Sequence, residues 1–167
     1  MVALKRIIHI FIGIFLLSAP AFSEDSPFGS GKINTDIKPH DVINWIGSDA
    51  REQEGGLVSV GLRLITKDDF TLYTTKVKIM GPNGWEVEAL ETPPTRSEID
   101  PIGGAKVNVY YGGDFQVTFK APSKWAATTF PVKIKYVGCT KMICLFPYTE
   151  TVEVPFFGRD TLSAGRS

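Results

Sequence analysis

Short apolar–polar alternation, broken every few residues by Gly or Pro, sets the strongest limit on what this chain folds into. In residues 57–64, Val58, Val60, Leu62 and Leu64 alternate with Leu57, Ser59, Gly61 and Arg63, so one face of an extended segment is consistently apolar. Residues 106–111, 115–119, 131–137 and 149–155 read as further strands, and Gly112, Gly113 and Asp114 separate the first two of these. In residues 70–80 the apolar set Phe70, Leu72, Val77 and Ile79 changes phase midway, which predicts a bend near residues 74–76. Residues 81–84, Gly-Pro-Asn-Gly, form a turn, and Trp85, Val87 and Ala89 resume a strand. Residues 91–105 carry three prolines and two glycines and read as irregular. Residues 41–46 read as a short strand or single turn that docks Trp45 on the core. No helical period of ten residues follows the N-terminal region, so the expected fold is all-β, an antiparallel sandwich.

The N-terminus is different in kind. Lys5 and Arg6 precede an apolar run over 7–17, followed by small residues up to Ser23. This is the pattern of a secretory signal peptide cleaved after residue 23, and the run falls short of the roughly 20 apolar residues of a membrane span. The expected organisation is therefore signal peptide 1–23, extended lead-in 24–45, folded domain 46–158 and loose tail 159–167. The segment has no lipid-modifiable cysteine. Its removal takes away two basic and no acidic residues, so the net charge moves from 0 to −2. That balance points away from nucleic acid and from membrane insertion of the mature chain, and a monomer is expected. A mature chain of this length buries a real core without needing a disulfide to fold.

Much of enzyme chemistry is absent. His40 is the only histidine after the signal segment, and no pattern places it beside a nucleophile. Two cysteines and one distant histidine fall short of a four-ligand zinc site, so no metal centre is expected. A weaker reading is copper(I) held by Cys139, Cys144 and Met142, since soft sulfur ligands select that ion.

The two cysteines of the chain, Cys139 and Cys144, bracket a four-residue loop between the strands 131–137 and 149–155. Opposed residues of an antiparallel pair approach to about 4.5–5.5 Å, which allows a bridge. Closing a six-residue loop stabilises a fold by roughly 2 kcal/mol, less than a bridge between distant strands. The loop is expected at the surface, where disulfides are the exchangeable ones. Two readings stand side by side: a redox-active pair, and a structural disulfide that stiffens the contact loop of a non-enzymatic binding module. Lys141 in the loop would favour a thiolate by its charge. Met142 and Ile143 at the loop tip, with Leu145 and Phe146 beyond, are expected to dock a partner.

Residues 138–151, Gly-Cys-Thr-Lys-Met-Ile-Cys-Leu-Phe-Pro-Tyr-Thr-Glu-Thr, follow an alternating strand that ends in an aromatic. This segment resembles the N-terminal periplasmic domain of the thiol:disulfide interchange protein DsbD, and residues 69–73 look like that family's aromatic-rich strand. The resemblance covers about residues 56–156. It implies an immunoglobulin-like sandwich whose cysteine pair shuttles electrons without a cofactor, as a protein-disulfide reductase component. Electrons would come from a thioredoxin-like membrane partner and pass to periplasmic thioredoxin-fold redox proteins, including those of cytochrome c biogenesis. It implies a Gram-negative periplasm.

By the same resemblance, Cys144 forms the mixed disulfide, Cys139 resolves it, and Tyr73 lines the site. A cap loop falls at residues 99–105, with Pro101 or Ile102 where the family carries an aromatic. The family's Pro-Pro-Glu after the second cysteine is here Phe146, Pro147 and Tyr148. The chain as given carries no transmembrane or thioredoxin-like domain, so a separate membrane electron-transfer protein is expected to supply the electrons.

Overall fold

The computed structural model describes residues 37–67, 69–122 and 124–158. The signal segment 1–23, most of the lead-in and the tail 159–167 lie outside the described residues. No helix among the described residues is long and apolar enough to cross a membrane.

Among the described residues, eleven strands form two sheets: β1 (Ile43–Glu52), β2 (Leu57–Thr66), β3 (Thr71–Tyr73), β4 (Lys78–Met80), β5 (Glu86–Glu91), β6 (Arg96–Ile99), β7 (Lys106–Tyr110), β8 (Gly113–Lys120), β9 (Thr129–Tyr136), β10 (Gly138–Cys139) and β11 (Tyr148–Phe157). The larger sheet has the order β4-β9-β11-β1-β2-β8-β5, and the smaller β10-β3-β7-β6. This is the all-β sandwich expected from the alternation, in the immunoglobulin-like form that the resemblance implied. One pair departs from the antiparallel rule: β1 runs parallel to β11, with Ala50 opposite Phe156.

The alternation works as physics requires. Val58, Val60, Leu62 and Leu64 of β2 are at most 2% exposed and meet Phe115, Val117 and Phe119 of β8 in the core. Each such side chain contributes about 1.5–3 kcal/mol by leaving water. Trp45 is buried against Phe115, with ring centroids 5.0 Å apart. Trp85 and Trp125 pack on Phe130 at the margin of the core, at 5.0 and 5.3 Å.

The phase change in residues 70–80 has a clear cause. A 3-10 turn at Thr74–Lys76 carries the chain from β3 in the smaller sheet to β4 in the larger one.

Two segments differ from the sequence reading. A one-turn helix at Pro39–Val42 leads directly into β1, which runs ten residues across the expected 45/46 boundary. Its polar run hides it, because Asn44, Ile46 and Ser48 face solvent and a bulge interrupts the register between Gly47 and Ala50. Residues 91–105 are not simply irregular. They contain β6, a polar edge strand paired with β7. Edge strands have one side open to water and tolerate such composition.

A cysteine hairpin where the two sheets meet

β9 and β11 pair from Pro155 opposite Thr129 up to Tyr148 opposite Tyr136. The Tyr136 and Tyr148 rings close that ladder edge-to-face, 5.9 Å apart. Past Tyr136 the chain leaves the larger sheet. Gly138 and Cys139 form β10, which pairs with Leu72 and Thr71 of β3 in the smaller sheet. The hairpin therefore ties the two sheets together at one end of the sandwich.

Cys139 and Cys144 stand opposite one another and are joined by a disulfide, with Cα atoms 4.0 Å apart. The loop between them is closed independently of sulfur. Thr140 N–H donates to the Ile143 carbonyl at 2.8 Å, and Leu145 N–H to the Gly138 carbonyl at 2.8 Å. The Thr140 hydroxyl accepts from the N–H groups of Met142 and Ile143, both at 3.2 Å. A Cβ at Gly138 would run into the end of the buried Ile43 side chain, which would have to shift.

The surface expectation holds at the loop tip, where Lys141 and Met142 are exposed, and not for Cys139. Cys139 is only 1% exposed although β10 is the edge strand of the smaller sheet, and the buried Thr71 hydroxyl donates to its carbonyl at 3.3 Å. Cys144 is only partly buried. The two cysteines are thus unequally buried.

The expected docking residues also divide. Met142 is 80% exposed and Phe146 58% exposed. Ile143 is part-buried against the core, and Leu145 belongs to the core itself. Ile99, at the end of β6, adds an exposed apolar side chain that the sequence reading did not single out.

Tyr73 ends β3, two residues beyond the Thr71 that pairs with Cys139. Its hydroxyl donates to Asp100 Oδ1 at 2.8 Å. Asp100 opens the 99–105 turn between β6 and β7, and its Oδ1 also accepts from Ile102 N–H at 3.0 Å. Gly104, at φ +65°, closes the turn by donating to the Asp100 carbonyl at 2.9 Å. Pro101 is exposed and Ile102 half-buried at its tip.

Charge follows from this geometry. Burial acts to raise the Asp100 pKa, but donors from Ile102, Tyr73 and Gly103 outweigh it and hold the carboxyl below its ordinary range. Burial, reinforced by the Asp100 carboxylate, pushes the Tyr73 hydroxyl upward, so it stays a proton donor. Asp100, Thr71 and Thr140 escaped the sequence reading. Asp and Thr at turns are common, and their partners lie 27, 68 and 3 residues away. No cluster of three or more His, Cys, Asp or Glu side chains suited to a metal occurs among the described residues.

Two packed sheets with a disulfide hairpin bridging them at one end define an immunoglobulin-like domain with a cysteine pair built into its rim. The chain belongs to the family of the N-terminal domain of the thiol:disulfide interchange protein DsbD, whose profile matches residues 48–155. Solved structures share the fold. The reduced DsbD N-terminal domain of Neisseria meningitidis superposes with a TM-score of 0.50 at 17% identity, covering 71% of this chain and 89% of that one. The N-terminal periplasmic domain of ScsB from Proteus mirabilis gives 0.54 at 12% identity, covering 71% of this chain and 48% of that one, so this chain spans about half its length. A complex of the DsbD and PilB N-terminal domains from Neisseria meningitidis matches at 0.43 and 15% identity, covering 72% of this chain and 88% of that chain. No curated protein matches the chain by sequence.

Proposed function

We propose that this domain performs thiol–disulfide exchange through Cys139 and Cys144, in the periplasm, between a thioredoxin-like membrane partner and thioredoxin-fold redox proteins. The observation that carries the reading is the unequal burial of the two cysteines, 1% exposure for Cys139 against a partly open Cys144. An incoming thiolate reaches the outer sulfur first. In the reduced domain, the Cys144 thiolate attacks a partner disulfide and forms a mixed disulfide. The Cys139 thiolate then attacks the Cys144 sulfur and releases the partner as a dithiol. Two electrons move to the partner, and the domain is left with its disulfide. Hydrogen bonds and core packing already hold the hairpin, so the bond is free to open without loosening the fold. In this reading the 99–105 turn, tied to Tyr73, is the cap, with Pro101 and Ile102 at its tip, and Met142 and Phe146 meet the partner.

The test is a pair of substitutions incubated with an oxidised thioredoxin. Cys139→Ser accumulates a covalent adduct on a non-reducing gel, and Cys144→Ser forms none. Absence of the Cys139→Ser adduct, together with a reduction potential below about −300 mV, would mark a structural bond instead.

A further inference from the structure

β9 carries a second feature on its outer side. Val132, Ile134 and Tyr136 point into the core, and the alternate residues Lys133 and Lys135 are exposed. On the neighbouring edge strand, Lys78 stands directly opposite Lys135 and Met80 opposite Lys133. Lys76 lies exposed just before β4. Like charges facing each other across a strand pair are unfavourable. None of these four lysines enters any of the ion pairs of the described residues. On the other flank β11 offers no compensation near the hairpin, with Thr149 opposite Lys135 and Thr151 opposite Lys133. The carboxylate of that row, Glu153, sits at the far end opposite Pro131 and accepts from the Thr129 hydroxyl at 2.9 Å. A concentrated basic strip is unexpected in a chain with 18 basic and 18 acidic residues.

The strip leads along the chain toward the disulfide hairpin. β9 continues through Val137 into Gly138 and Cys139. At about 3.3 Å per residue, Lys135 lies within about 13 Å of Cys139 and Lys133 within about 20 Å. A partner docked on Cys144 covers about 800 Å² on each side, a disc of radius about 16 Å. Lys135 falls inside that footprint, and Lys133, at up to about 20 Å, lies just beyond it. Lys141, in the hairpin loop itself, is also exposed. Charges placed there steer encounter and set its rate.

We propose that Lys78, Lys133 and Lys135 form a docking surface for a thioredoxin-fold partner that carries carboxylates beside its own cysteine pair. The proposal rests on the exchange reading above and adds the chemistry of the partner.

The oxidised protein is reduced by two synthetic Cys-Xaa-Xaa-Cys dithiol peptides, one flanked by glutamates and one by lysines, with each rate divided by that for dithiothreitol. At about 20 mM salt the glutamate peptide is expected to react about tenfold faster, and about 0.5 M salt removes the difference. Lys133→Glu with Lys135→Glu reverses the preference, and Lys120→Glu on β8, the same charge change elsewhere, keeps it. Equal rates for both peptides with the unaltered protein overturn the proposal.

If dithiothreitol reduces the bond and neither peptide does, the exchange reading is what fails. The strip is then read separately, by nuclear magnetic resonance titration with glutamate and lysine peptides whose cysteines are replaced by serine. Shifts at Lys78, Lys133 and Lys135 with the glutamate peptide alone support the surface, and their absence overturns it. Lysine-dependent binding to phosphatidylglycerol vesicles, or self-association through the acidic strand β5, also overturns it.

Discussion

The Tyr73 hydroxyl donates to Asp100 Oδ1 at 2.8 Å, and this one bond joins the strand beside Cys139 to the turn at residues 99–105. Strand β3 is otherwise only three residues long, so the end of the smaller sheet depends on such ties.

Tyr73→Phe removes the tie and keeps the ring. A partly exposed bond of this kind contributes about 0.5–1.5 kcal/mol. The expected result is faster amide exchange at Ile102 and Gly104 and a several-fold faster reduction of the disulfide by dithiothreitol. An unchanged reduction rate would show that the turn does not guard the bond.

The same tie has a pH signature. The folded Asp100 carboxyl titrates below its ordinary value, so its contribution is complete above about pH 4 and is lost as pH falls through the lower folded value. Protection of the Ile102 amide should fall only in acid. Asp100→Asn should abolish that dependence, which exchange measured across the acid range will show.

Glu150 behaves in the opposite sense. It points inward from β11, and burial raises its pKa, against the weaker opposing effects of Tyr136 and His40. Its Oε1, the Tyr136 hydroxyl and the Trp45 indole N–H are buried without a normal hydrogen bond among the described residues. A raised folded pKa means the group favours folding below its ordinary value, and that advantage is lost as pH rises through the folded one. Glu150→Gln should therefore raise Tm at pH 7 by about 2–4 °C, with the gain vanishing near pH 4. Thermal melts across that range decide it.

Gly138→Ala places a methyl group against Ile43 and should destabilise by about 1–3 kcal/mol. Thr71→Val keeps the shape but leaves the Cys139 carbonyl without its 3.3 Å donor, at about 1–3 kcal/mol. Urea unfolding of each, compared with the parent, checks both. A loss under 0.5 kcal/mol in the glycine variant would mean that Ile43 moves aside freely.

The sequence by itself determined the strands whose two faces differ, such as β2, β8 and β9, because a period of two is written into the residues that must leave water. It determined the bend before β4, the closeness of Cys139 to Cys144, and the family through the residues around them. It left the second half of β1 and all of β6 hidden, because polar stretches at a bulge or an edge carry no such period. Only the tertiary structure decided that Cys139 is buried and Cys144 partly open, since that depends on β10 crossing to a strand 68 residues earlier. It also decided that Asp100 meets Tyr73 and that Lys78 faces Lys135. Those pairings join residues far apart in the chain, and local alternation says nothing about which strands become neighbours.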